Sequence, residues 1–368
     1  MKLAGRAIPR ITATAVGCAA VLVPSAVLAA RTGSSAPAAH AGTVTLYVAN
    51  NTSDTVTPVS AATNKPGKPI PVRKNPTAIA ITPNGKTAYV LSGAGFGPGY
   101  VTPVNTATNK AGTPITVKGD PVAIAITPDG KTAYVANSLR SVVIPISTAT
   151  NKAGRPINVG AAPLAIAITP NGETAYVATA GNAVVPIVTA TNTTLPRIRV
   201  GVLPGAIAIT PNGKTAYAVN TGMNDGDTVT PINTATNKAL PAITVGLDPF
   251  CVAITPDGAT AYVANTLSNT VTPIRTATNK AGPPIKVGRG PIYLAITADG
   301  KTVYTANLND KVSGGIGDTV TPISTATNKA GPPIKVGRGP IYIAMTPAHP
   351  EAVPQEAPAG CDAVSGQP

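Results

Sequence analysis

Residues 269–290, NTVTPIRTATNKAGPPIKVGRG, return at 318–339 as DTVTPISTATNKAGPPIKVGRG, with changes only at Asn269/Asp318 and Arg275/Ser324. A chain that repeats at a fixed period is built from like units that bury one another's faces, so the repeat limits the fold before any other property does. Tyrosines in the setting T-x-Y recur at Tyr47, Tyr89, Tyr134, Tyr176, Tyr217, Tyr262 and Tyr304, spaced 42, 45, 42, 41, 45 and 42 residues apart. An ATN motif also occurs seven times, from Asn64 to Asn328, and segments like PVAIAITPDG begin at Pro76, Pro121, Pro163, Pro204, Pro249, Pro291 and Pro340.

One repeat has room for four short strands. From Pro121 these are A (VAIAIT), B (TAYVAN), C (SVVIPI) and D (PINVG), with the Pro-Asp-Gly turn between A and B. Strand A alternates small and large apolar residues, as in Ala78-Ile79-Ala80-Ile81, and has no polar face. It is therefore covered on both sides, its large residues entering space left by the next unit's alanines. Such sheets arranged radially give an all-β, seven-bladed β-propeller with four-stranded blades. The alternative, an open solenoid, needs capping repeats, and none is visible.

The repeats start with a B strand at 45–50 and end with an A strand at 341–346, so the C-terminal A strand is expected to pair with the N-terminal B strand and close the ring. Prolines inside every C strand, from Pro58 to Pro322, argue for a bend or a non-bonded position there and against long regular C strands. A second series at the start of strand D, from Pro69 to Pro333, makes the outer edges poor templates for pairing.

Outside the repeats, residues 1–41 read as a signal peptide with a short processed segment, the cationic start MKLAGRAIPR preceding an apolar run with small residues at its end. Cleavage after Ala29 or after Ala41 fits the pattern. A retained anchor and a lipoprotein at Cys18 are weaker readings, because Pro24 interrupts the segment and the apolar run continues past Cys18. The propeller then occupies 42–347 and a C-terminal tail 348–368. The expected location is secreted or cell-surface associated, and the expected state a monomer.

The motif YVAN at 47, 134 and 262, followed by TVTPI, TATN and AITP[DN]GKTAYV, resembles the YVTN-type β-propeller repeat over residues 43–347. The chain departs from that pattern where proline enters strand C and where Ser, Asn, Val or Arg precedes TATN. The resemblance implies the propeller and a setting among bacterial surface and secreted proteins. Similar propellers also occur in redox enzymes, lyases and lactonases, so the family alone does not supply an activity.

The residues themselves restrict the chemistry. Of two histidines, His40 lies in the leader and His349 in the tail, so a Ser-His-Asp arrangement or a histidine-bearing metal site is unavailable within the ring. No phosphate loop, dinucleotide fingerprint or haem-attachment motif occurs. No regular aromatic stripe is suited to stacking bases, and no specific nucleic-acid binding is expected. No catalytic residue is assigned. Cys251 is expected to pack as a buried free thiol, although a bridge to Cys361 is open. Asp225 and Asp227 in NTGMNDGDTVT, with Asp310 and Asp318 in LNDKVSGGIGDTVT, are candidate Ca²⁺ ligands, but neither stretch fits the EF-hand pattern.

The loops sort by antiparallel order: D-to-A and B-to-C connections share one end, A-to-B and C-to-D turns the other. Removing residues 1–41 takes four cations and no acid from 28 and 14, leaving 24 basic and 14 acidic residues. The second end gathers twelve cations against Asp129, Glu173, Asp257 and Asp299. Lys65, Lys110, Lys152, Lys238, Lys280 and Lys329 repeat there in the ATNK setting, as solubilising turn residues or as contacts for an anionic cell-wall polymer, a glycan or a protein. At the other end Arg289 and Arg338, each followed by Gly-Pro-Ile-Tyr, stand with Tyr293, Tyr342 and Phe250 where a small anion could dock, guanidinium forks being suited to carboxylate or phosphate. Two copied turns whose tyrosines merely fill space between blades would look the same. The leading expectation is a non-catalytic structural or binding module, and the competing one a metal-dependent lyase or lactonase using carboxylates.

Overall fold

The computed structural model describes residues 45–51, 53–60, 67–93, 98–222, 226–297, 299–310 and 315–335. These residues form seven antiparallel sheets, and the fold is an all-β, seven-bladed β-propeller. The third blade shows the plan. Strand A (Pro121–Ile126) pairs with B (Thr132–Asn137), B with C (Val142–Ser147), and C with an outer strand in two pieces, Lys152–Ala153 and Ile157–Asn158. The first blade begins with B (Thr45–Asn50), followed by C (Thr55–Ser60) and Ile70–Pro71. Residues 341–346, expected as its A strand, lie outside the described residues.

Packing between blades follows the small-large alternation. Ala80, Tyr89, Leu91, Val101 and Ile115 of the second blade share one apolar cluster with Ile124, Ala133, Val135, Ile144 and Ile146 of the third. Each of the six described A strands opens with a bulge directly after its proline. In the sixth blade Pro249 opposes Asn265 and Cys251 opposes Ala264, so Phe250 is the extra residue.

The C strands meet one half of their expectation and correct the other: their prolines take a non-bonded position, but the strands are regular, six residues long in the second to sixth blades. Each proline's carbonyl accepts a bond from the outer side, as from Gly154 to Pro145 at 2.7 Å. A residue's N and C=O point the same way across a strand, so the missing N–H faces outward, where strand D is interrupted, and the A–B–C ladder is intact.

Candidate functional site

The two ends are built as the loop order requires. At the lysine-bearing end, Thr148 at the start of a C-to-D turn donates to the Gly130 carbonyl of the A-to-B turn at 2.6 Å, and Thr189, Thr234 and Thr276 repeat the contact. At the other end B-to-C turns donate to D-to-A linkers, as in Ser138 to Asp120 and Thr266 to Asp248.

A tyrosine–asparagine bond crosses each described seam. Tyr47, Tyr89, Tyr134, Tyr176, Tyr217 and Tyr262 donate their hydroxyls to the side-chain oxygens of Asn109, Asn151, Asn192, Asn237, Asn279 and Asn328 in the next blade, at 2.6–2.7 Å. These asparagines adopt φ between 52° and 57°, a left-handed conformation that Asn tolerates better than most residues. Burial pushes the Tyr176, Tyr217 and Tyr262 hydroxyls up to about 12, so they stay protonated donors. The T-x-Y and ATN motifs are thus the two halves of one fastening, which the separate reading of each motif missed.

Next in sequence to these asparagines stand Lys110, Lys152, Lys238, Lys280 and Lys329, each opening the first piece of its outer strand and each exposed. Across the ladder they face Asn105, Ser147, Asn233, Arg275 and Ser324, none of them acidic. In the fourth blade Thr193 takes the place of lysine. Lys65 lies outside the described residues. Among the described residues the ion pairs are Lys131–Asp129 and Lys301–Asp299, both exposed, and the five lysines join neither. The acids of this end serve their own turns: the Thr127 hydroxyl, then the Lys131 amide, hold Asp129 below the usual carboxylate range, and Thr255 and Ala259 do the same for Asp257.

At the opposite end the predicted anion pocket is only partly in view. Arg289 is exposed, Phe250 is half-buried, and Tyr293 is buried in the cluster that contains Cys251 and Leu294. Arg338 and Tyr342 lie outside the described residues. Tyr293 therefore fills the core rather than standing at the surface. Of the calcium candidates, Asp227 is half-buried, Asp225 lies outside the described residues, and so do the side chains of Asp310 and Asp318. Among the described residues no three His, Cys, Asp or Glu side chains are grouped to hold a metal.

Two residues depart from their sequence reading. Cys251 is disulfide-bonded, which corrects the expectation of a free thiol; its partner lies outside the described residues. Asp248 was not singled out, yet it is 8% exposed, at φ 53°, and burial pushes its carboxyl up. Only the position of Asp248 before Pro249, in a linker whose counterparts are mostly neutral, distinguishes it in sequence. A shallow groove of about 670 Å³ also opens between the outer edges of the third and fourth blades, lined by Arg155, Asn158, Thr191 and Thr193 among others.

No family model matches the chain, and no curated protein matches it. Solved structures do. Kuenenia stuttgartiensis hydrazine synthase is 24% identical with a TM-score of 0.58, over 72% of this chain and 88% of that one. A functionally unknown protein from Desulfotomaculum acetoxidans DSM 771 is 18% identical with a TM-score of 0.62, over 80% and 95%. At these identities the likeness is one of fold, and it agrees with the propeller. Among the described residues no helix is long and apolar enough to cross a membrane.

Proposed function

We propose that this chain is a secreted, non-catalytic β-propeller of the YVTN-repeat type that binds an anionic cell-surface polymer through its lysine-bearing end. The observation that carries the reading is the set of five exposed lysines at equivalent register, none in an ion pair among the described residues and none facing a carboxylate across the ladder. Each leaves the backbone beside an asparagine held by the neighbouring blade, so the charges are presented from fixed points around a ring. A flexible polyanion meeting several such points gains from each without one deep pocket, and the attraction weakens as salt screens it. The apolar leader at 1–41 supports export, and the repeated motifs support the family.

The test is retention of the exported protein on immobilised polyanionic cell-wall polymer over a salt gradient. Exchanging Lys65, Lys110, Lys152, Lys238, Lys280 and Lys329 for Gln is expected to abolish salt-sensitive retention. Retention equal to that of the unaltered protein would refute the reading.

A further inference from the structure

Six large apolar side chains are exposed among the described residues, and four of them stand at the end opposite the lysines. Leu139 and Leu267 occupy the tips of B-to-C turns, and Val202 and Leu247 lie in D-to-A linkers, at 45–54% exposure. The third linker position shows how they are arranged around the ring. In chain order it carries Lys74, Gly119, Ala161, Val202, Leu247 and Arg289, so an apolar arc is bounded by cations on both sides. The Leu267 amide donates to the Leu247 carbonyl at 3.3 Å, which sets these two residues side by side. Lys118 and Arg140 extend the basic flank beside Leu139, both exposed and neither in an ion pair among the described residues.

We infer that this end docks on an anionic lipid surface, the four apolar tips entering the headgroup and acyl boundary while the flanking cations meet lipid phosphates. Apolar loop tips ringed by Lys and Arg are the combination an anionic bilayer rewards, since buried apolar area and headgroup attraction add. Exposed linker positions impose no large apolar residue for folding, and other blades fill them with Lys, Gly, Ala or Arg. The described acids of this end are less exposed than its cations: Asp248 is buried, Asp54, Asp120 and Asp227 are half-buried, and the Asp54 carboxylate already accepts the Asn75 amide at 2.9 Å. The inference is independent of polymer binding at the other end.

The chain contains no tryptophan, so one introduced indole reports its own surroundings. Leu267→Trp should shift its emission to shorter wavelength and lose iodide quenching on phosphatidylglycerol vesicles, with a smaller response on phosphatidylcholine vesicles. Ala259→Trp, exposed on the same blade at the lysine-bearing end, should show neither change, which separates docking of this face from adhesion through any other part of the chain. In the Leu267→Trp background, Lys118→Gln/Arg140→Gln should weaken vesicle binding roughly tenfold or more, each cation near an anionic surface contributing about fivefold. An unchanged Leu267→Trp spectrum on anionic vesicles overturns the inference, as does an equal change at Ala259→Trp. Vesicle affinity indifferent to the two glutamines does so too. A response of Leu267→Trp to an acidic protein but not to vesicles would make this face a protein interface and reject the lipid reading.

Discussion

Tyr176 gives its hydroxyl to Asn237 at 2.6 Å and to the Thr234 carbonyl at 3.2 Å, in a setting with no exposed surface of its own. Tyr176→Phe keeps the ring but leaves both acceptors short of a donor, so a loss of about 1–3 kcal/mol in denaturant unfolding is expected. The folded pKa of about 12 exceeds the ordinary value of 10. This contribution is therefore complete below pH 10 and is lost as pH rises through 12. Asp248 has the same sign for the same reason: burial raises its carboxyl above 3.8, so the folded state holds the proton more tightly than the unfolded chain. Its favourable contribution is full below pH 3.8 and disappears as pH rises through the folded value. Asp248→Asn should accordingly melt at a higher temperature than the unaltered protein at neutral pH, with the difference shrinking toward pH 4. A constant difference across that range would show that the carboxylate is not the cause.

Strand identities were legible because period and turn chemistry agree. Proline fixes φ, Gly130 takes φ 72°, and the Asp129 carboxylate accepts the Lys131 amide at 3.0 Å, so each A-to-B turn declares itself. The division of strand D was not legible, since it depends on which side of strand C the proline nitrogen faces, a property of register rather than of residue type. The linker glycines are similar. Gly246 has no unusual φ, but a Cβ there would lie 2.8 Å from Asn265, so Gly246→Ala should destabilise the sixth blade by roughly 1–3 kcal/mol through overpacking. Ala80→Leu should cost about the same, because Ala80 is 4% exposed and clustered with Ile124 and Ile144 of the next blade. Thermal melts of the two variants check both values.

Across the whole molecule, the repeat revealed the ring and the separation of its ends, and the lysines could be placed because their turns are regular. Burial of Asp248 escaped notice because it arises where blades meet, at a position that chain order alone puts in a surface linker, whereas Tyr293, in strand A, fills space between blades as one of its two sequence readings has it. The apolar arc escaped for a related reason: Val202 and Leu247 look like ordinary core residues until their exposure is known. Closure is open to measurement, since by the spacing of the other six fastenings Tyr304 should couple to Asn64. A double-mutant cycle of Tyr304→Phe and Asn64→Ala should show coupling of about 0.5–3 kcal/mol, and strict additivity would mean the last seam is held otherwise. Because every fastening joins a tyrosine of one unit to an asparagine of the next, a newly inserted unit arrives with half of each bond it needs. The near-identical stretches at 269–290 and 318–339 each run from strand C through the asparagine to the following linker. A gene encoding such a chain can therefore lengthen or shorten by whole units and still specify fastened neighbours, which makes blade number open to inherited change while the joint itself stays constant.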